Sequence, residues 1–321
     1  MSDPCFSPLS WSYRPPKTHQ CVESTIPRGS LRLKSISLRG ISLRGSSVRF
    51  CPFATHSCDT KEQLAQQINA ELQMIPTILR GIPEPLSRLL HLPQYRIVPF
   101  GSEAIVNLRG YSLPSSVRQL ARRALRNGAI FSPCRLSTPQ MLPIFPSRRA
   151  STALRGLFRR APSRDQDCFV FTAAETAVPV AWITVSRRSE HHRHVEQLQR
   201  SSVAPVGVME ALLVHAIEYL QGQGVATLSL GEVPCIIPDN AMLTQGVVSA
   251  RVFRALNRVG KKVLEPRYSP EGLYVFKNKF NPSWEPVYWI IPKQRGVTAF
   301  IRTLISTGVI PLIFERETKR F

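Results

Sequence analysis

The side chains able to do chemistry fall into three groups. Glu196 and Arg200 flank a predicted strand-to-helix loop, and Glu232 ends a predicted central strand, where a sheet opens into its cleft. A carboxylate there can take or deliver a proton, and a nearby cation can steady developing negative charge. Lys277 and Lys279 are predicted to alternate with Phe276 and Phe280 along a strand, which places both ammonium groups on one face. Those lysines suit phosphate oxygens. Arg118, Arg122, Arg123 and Arg126 recur at three- and four-residue spacing on a predicted helix without acidic partners. Such a face is either simply solvated or set against phosphate, of RNA or of lipid.

These groups need elements to hold them. Asp59 or Thr60 can N-cap a helix whose apolar positions are Leu64, Ile68, Leu72 and Ile75. A proline-punctuated connection then leads to strands predicted over Tyr95–Pro99 and Ala104–Leu108. Leu113-Pro114-Ser115-Ser116 starts the arginine helix and Asn127-Gly128 stops it. Cys168–Ala173 and Val178–Val185 read as a hairpin, and its neighbour strand begins at Val195. His191, His192 and His194 fall on the polar tip between, with no Cys or Asp near, and are read as solvent-facing; no metal is expected. Gly207 stands at the N-terminus of a helix over Val208–Leu220, whose exposed amides favour anionic or carbonyl oxygen. Ala226–Leu230 is a central strand. Trp284, Pro286 and Tyr288 read either as core packing or as a substrate wall.

Composition bounds the partners. The 321 residues carry 42 Lys and Arg against 21 Asp and Glu, a net charge of +21. A field of that sign attracts polyanions, nucleic acid or anionic lipid, without choosing between them. Seven scattered cysteines without a CxxC pair argue against a disulfide framework or zinc site and fit a reducing compartment. No apolar run approaches the ~20 residues that span a bilayer. The stretch Val297–Phe314 is broken by Arg302, Gly308 and Pro311, and is expected to dock as a helix or strand pair. A cytoplasmic chain, at most peripheral at the membrane, is the expectation. Residues 1–58 are serine- and arginine-rich, repeat Ile-Ser-Leu-Arg-Gly at Ile36 and Ile41, and hold only Asp3 and Glu23 as acids. That reads as a disordered basic arm, an organellar transit peptide, or an upstream start. A second basic segment, with Arg148-Arg149 and Arg159-Arg160, reads as a linker or phosphate-binding stretch.

Three segments, in this order and spacing, resemble one known family. They are Ala204-Pro205-Val206-Gly207-Val208-Met209, Leu228-Ser229-Leu230-Gly231-Glu232-Val233-Pro234, and Phe276-Lys277-Asn278-Lys279-Phe280-Asn281-Pro282-Ser283-Trp284-Glu285-Pro286-Val287-Tyr288. They look like the C-terminal catalytic region of phosphatidylglycerol lysyltransferases, and Gly101–Gly128 resembles its middle. The resemblance implies an α+β, GNAT-like acyltransferase fold, a mixed central sheet flanked by helices. It implies a shortened tandem of two lobes, 59–165 and 166–321. It implies aminoacyl-tRNA as co-substrate, no cofactor, and transfer to a phospholipid headgroup or another small acceptor. Glu196, Arg200 and Glu232 would then be catalytic, Gly207, Lys277, Lys279, Trp284 and Tyr288 would meet substrate, and Arg118, Arg122 and Arg126 would meet nucleic acid or phosphate. The family carries an Asp and an Arg three residues apart before its Pro-x-Gly loop. Here Glu196 is followed at that spacing by Gln199, and Arg200 is preceded by Gln197. Two alternatives therefore stand beside the transferase: a non-catalytic RNA-binding protein that keeps the fold, and an acyl-CoA N-acyltransferase. Gln221-Gly222-Gln223-Gly224-Val225-Ala226 matches the coenzyme A loop as text, but it follows a helix and enters a strand, the wrong way round for amides to meet phosphate.

Overall fold

The computed structural model describes residues 11–13, 36–42, 48–56, 60–131, 166–237, 269–294 and 296–306. Its strands are β1 (Trp11–Tyr13), β2 (Ile36–Ser42), β3 (Arg49–His56), β4 (Thr77–Pro83), β5 (Tyr95–Asn107), β6 (Gly128–Phe131), β7 (Asp167–Ala173), β8 (Pro179–Arg187), β9 (His192–Arg200), β10 (Thr227–Pro234) and β11 (Ser283–Pro292). Its helices are α1 (Lys61–Met74), α2 (Glu84–Ser87), α3 (Ser115–Leu125), α4 (Val208–Gly222), α5 (Pro270–Asn278) and α6 (Gly296–Ser306). Local chemistry sets the helix starts. Thr60 Oγ1 accepts from the Gln63 amide at 3.2 Å, a cap whose loss costs about 1 kcal/mol. Ser269 Oγ does the same for Gly272 at 2.9 Å, and Pro270 sits in the first turn, where no amide is needed.

The strands form one mixed sheet in the order β1-β3-β4-β11-β5-β10-β9-β8-β7-β6, with β2 paired to β3. Strand β5 is the axis: β10 runs antiparallel along one edge and β11 along the other. The late strand β11 thus lies between β4 and β5, so early and late parts of the chain interleave. Helix α4 crosses from β9 to β10, which pair in parallel only from Thr227↔His192 to Ser229↔His194. Beyond that point β9 continues to Arg200 and β10 to Pro234 without pairing, and the sheet opens between them.

Apolar faces close around this sheet. Helices α3 and α4 bury Val117, Ala121, Leu212, Leu213, Ile217 and Leu220 against β5, β7, β8 and β10. Helix α1 packs Leu64, Ile68 and Leu72 with Leu79, Ile82, Tyr288 and Ile290. A third cluster centres on Trp289, whose ring lies 4.8 Å from Phe100, 5.2 Å from Phe300 and 5.8 Å from Phe50.

Three expectations are corrected and a fourth is resolved. Residues 36–42 and 49–56 are not a disordered arm but strands of the sheet; most of the rest of 1–58 lies outside the described residues. Tyr95–Asn107 is one long strand, because a bulge opposite Val287/Tyr288 absorbs the irregularity without breaking the ladder. Lys277 lies in helix α5, where Ser269 and Pro270 supply a start that outweighs the aromatic alternation. Gly296–Ser306 is a helix, so of the two expected forms the structure takes that one. The segment 144–164 lies outside the described residues. Among those described, no helix is long and apolar enough to cross a membrane.

Candidate active site

At the mouth of the opening, the register sets Glu232 of β10 and Glu285 of β11 directly opposite Glu103 of β5. Like charges at opposed ladder positions repel, so such a row survives only if something offsets it. Glu103 and Glu232 are each only 3% exposed, and Glu285 is half-buried. Cations close in from a strand, a helix and the turn after β8. Arg188 grips Glu103 with its two terminal guanidinium nitrogens, Nη2 at 2.7 Å and Nη1 at 3.1 Å. Arg80 of β4 comes to 3.5 Å from Glu232, and Lys277 donates to the Glu232 carbonyl oxygen at 3.0 Å. Neither Glu232 carboxyl oxygen accepts a hydrogen bond among the described residues.

These surroundings drive the two carboxyls apart. Burial pushes Glu103 up, but Arg188 and the His194 contact outweigh it and hold the group well below the carboxylate range. For Glu232 burial wins: Arg80 and Lys277 favour the charged form, Glu103 opposes it, and the carboxyl is raised. Glu285 is raised too, by burial and then by Glu103. Opposed carboxyls with divided proton affinities are the usual arrangement for one fixed charge and one proton carrier.

A buried chain of polar groups supports Glu103. Ser229 Oγ donates to Glu103 and accepts the Gly231 amide at 3.0 Å, and His194 Nδ1 lies 3.0 Å from the same hydroxyl. That pattern assigns the imidazole proton to Nδ1. Burial and Arg188 lower the affinity of His194 for a second proton, so the ring is neutral. Gly231, at φ +94°, closes the bulge between Ser229 and Gly231, in a conformation an L side chain rarely takes. Next to this chain, Glu196 accepts from Gln166 and Ser186, and those two bond each other at 2.8 Å. A second register shift sits here, since β8 pairs with Val195 and Gln197 but skips Glu196.

The structure therefore brings Glu196, Glu232 and Lys277 into one polar zone and distributes the other expected residues around it. Arg200 is the last residue of β9, opposite Ala181. Gly207 holds φ +89°, and a Cβ on it would lie 2.2 Å from the Leu120 carbonyl oxygen, so α4 begins hard against α3. Lys279 leaves the end of α5 to pair with Glu210 in the first turn of α4 at 2.9 Å, across the Phe276 ring. Trp284 stacks on Tyr274 at 4.5 Å and donates to Asn278. Tyr288 is 1% exposed in the α1–α2 core, a packing position away from solvent. Arg118 and Arg122 are exposed on α3, as is Arg126 at its C-cap. His194 is the one tip histidine placed wrongly by sequence, since it is fully buried on β9. Glu103, Arg188, Arg80, Ser229 and Glu285 were missed as site residues. Only Glu103 carried a signal: a lone acid leading into an apolar strand. Gln221, in the last turn of α4, donates to the carbonyls of Leu108 and Tyr111 at 3.0 and 3.1 Å, which ties the helix end to the loop after β5.

Residues 50–291 match the family profile described as phosphatidylglycerol lysyltransferase, C-terminal. No curated protein sequence matches the chain. Among solved structures, L-PGS from Bacillus licheniformis superposes with a TM-score of 0.58 at 18% identity, over 87% of this chain and 89% of that one. The C-terminal domain of a putative lysylphosphatidylglycerol synthetase from Agrobacterium fabrum gives a TM-score of 0.58 at 18% identity, over 86% and 89%. At that identity the likeness speaks for the fold: mixed α+β, with helices on both faces of the sheet. The profile match spans most of the chain, which therefore belongs to the phosphatidylglycerol lysyltransferase C-terminal family and is an aminoacyltransferase.

Proposed function

We propose that this chain moves an aminoacyl group from the 3′ end of an aminoacyl-tRNA to a hydroxyl of a phospholipid headgroup, with Glu232 carrying the proton. The headgroup oxygen attacks the ester carbonyl carbon and gives its proton to the Glu232 carboxylate. The tetrahedral intermediate then expels the ribose oxygen, which takes that proton back. Glu103 stays ionised; its charge keeps the affinity of Glu232 for a proton high and anchors Arg188. Lys277 and the amides that open α4 after Gly207 are the donors offered to the intermediate's oxyanion. No cofactor enters the step.

The observation that carries this reading is the opposition of Glu232 and Glu103 where β9 and β10 part, with one carboxyl raised and the other lowered. It also answers the altered Glu196–Gln199 segment. Arg188 and Arg80 bring cationic charge to the zone from β8's end and from β4, where the local sequence lacks it. The test is to mix purified chain with radiolabelled aminoacyl-tRNAs and phosphatidylglycerol liposomes and to follow label into the lipid phase. Label in lipid establishes the transfer and names the amino acid. Salt-sensitive tRNA binding without transfer points to the non-catalytic RNA-binding alternative, and transfer from an acyl-CoA instead overturns the tRNA donor.

A further inference from the structure

A chain whose acceptor is embedded in a bilayer must meet that bilayer, and no described helix can span one. We infer that the exposed face made by α3 and the β9–α4 loop docks on an anionic membrane surface, an inference that rests on the phospholipid acceptor proposed above. Arg118 and Arg122 on α3 and Arg126 at its C-cap are all exposed, Arg118 while donating to the Leu113 carbonyl, and the helix holds no acid. The β9–α4 loop carries two exposed apolar tips: Val203 is 77% exposed and Val206 59%. On α3 itself, Leu125 is 46% exposed.

Helix and loop are joined at one point. The close approach of Gly207 to the Leu120 carbonyl locks the end of the loop against the middle of α3. The loop leaves β9 at Arg200, on the side where β9 and β10 have parted, so this face adjoins the open edge of the site. Arginines drawn to anionic headgroups, with apolar side chains entering the interface, is the combination that holds a peripheral protein at a bilayer. RNA fits less well. Its phosphates would use the arginines, but single-stranded RNA is gripped by aromatic stacking, and neither α3 nor the loop carries an aromatic ring. Exposed valines offer RNA nothing.

The experiment is sedimentation of the full chain with sucrose-loaded vesicles of phosphatidylcholine alone or mixed with phosphatidylglycerol, beside tRNA binding measured at the same salt. The wild type is expected on phosphatidylglycerol vesicles only, more weakly as salt rises. At about fivefold per arginine, Arg118→Gln/Arg122→Gln/Arg126→Gln loses on the order of a hundredfold in partition, and the matching lysine triple variant keeps it. Val203→Ser/Val206→Ser loses about tenfold with tRNA binding unchanged. All the changed side chains are exposed, and unchanged melting midpoints confirm that the variants are folded. Wild-type vesicle binding by both the glutamine triple and the serine pair overturns the inference. So does a triple variant that loses tRNA while the serine pair binds vesicles normally, which makes the face an RNA surface. Vesicle binding needs no turnover. Residue-dependent docking without label transfer therefore refutes the proposed reaction and leaves the surface standing, while transfer with indifferent variants does the reverse.

Discussion

Glu232→Gln is expected to stop transfer and yet make the protein more stable, increasingly so as pH rises. Two effects compete at Glu232. Arg80 at 3.5 Å offers a gross attraction of about 4–5 kcal/mol at an effective dielectric of 20. Against it stand desolvation of a carboxyl only 3% exposed, worth several kcal/mol per ion, and repulsion from the ionised Glu103 opposite. With no hydrogen bond to either carboxyl oxygen, the costs win and the carboxyl is raised above its ordinary 4.5. The sign follows. Between pH 4.5 and the raised value, the native state keeps a proton that the unfolded chain has lost, so stability of the wild type falls as pH climbs. The glutamine variant has no such proton. Its advantage is expected to grow by up to about 1.4 kcal/mol per pH unit across that window and then level off. For a chain of this size each kcal/mol moves the melting midpoint by roughly 2–4 °C. Urea unfolding of both proteins from pH 4.5 to 9 reads the difference directly, and label transfer is expected to drop by about 10²–10⁴-fold, the range of a lost proton carrier. A stability difference that is flat with pH, or that turns against the glutamine variant at high pH, would show that the Arg80 ion pair dominates, and the proton-carrier role would go with it.

Three more outcomes follow from the geometry. Gly207→Ala places a Cβ 2.2 Å from a carbonyl oxygen at φ +89° and is expected to cost about 3 kcal/mol or more, read by chemical denaturation, with α4 displaced and transfer lost. Arg188→Met leaves Glu103 buried without its counter-charge; a loss of about 3–5 kcal/mol at neutral pH is expected. Wild-type stability from Glu103 is present above pH 4.5 and fades as acid lowers the pH below it, so the two proteins converge in acid; a constant gap down to pH 3 contradicts the assignment. Lys277→Met keeps the buried volume and removes the ammonium that reaches the Glu232 carbonyl. The variant is expected to fold with circular dichroism like the wild type and to lose transfer by about a hundredfold or more, and unimpaired transfer would exclude Lys277 from the reaction.

What the amino-acid sequence determined here is mostly local. The cap at Thr60, the apolar spacing of Leu64, Ile68 and Leu72, the Pro-Ser start of α3, the Gly207 start of α4 and the hairpin of β7 and β8 are all set by neighbours a few residues away, and they read correctly. The linear order of the three segments was enough for the family. Where local signals competed, sequence misjudged: alternating Lys and Phe suggested a strand, but the Ser269-Pro270 start made a helix. Tertiary structure alone decided the site. Ser229 meets Glu103 across 126 residues of chain, and Glu232 and Glu285 face Glu103 only because β10 and β11 take the two edges of β5. Strand order and register are long-range choices that no short pattern encodes, and a one-residue slip would turn the carboxyls to the other face. The same holds for proton affinity. Glu103 and Glu232 are the same residue type, each in an apolar strand, and they differ because Arg188 grips one with short bidentate bonds while Arg80 stands off the other. Burial and counter-ion geometry exist only once the sheet has closed.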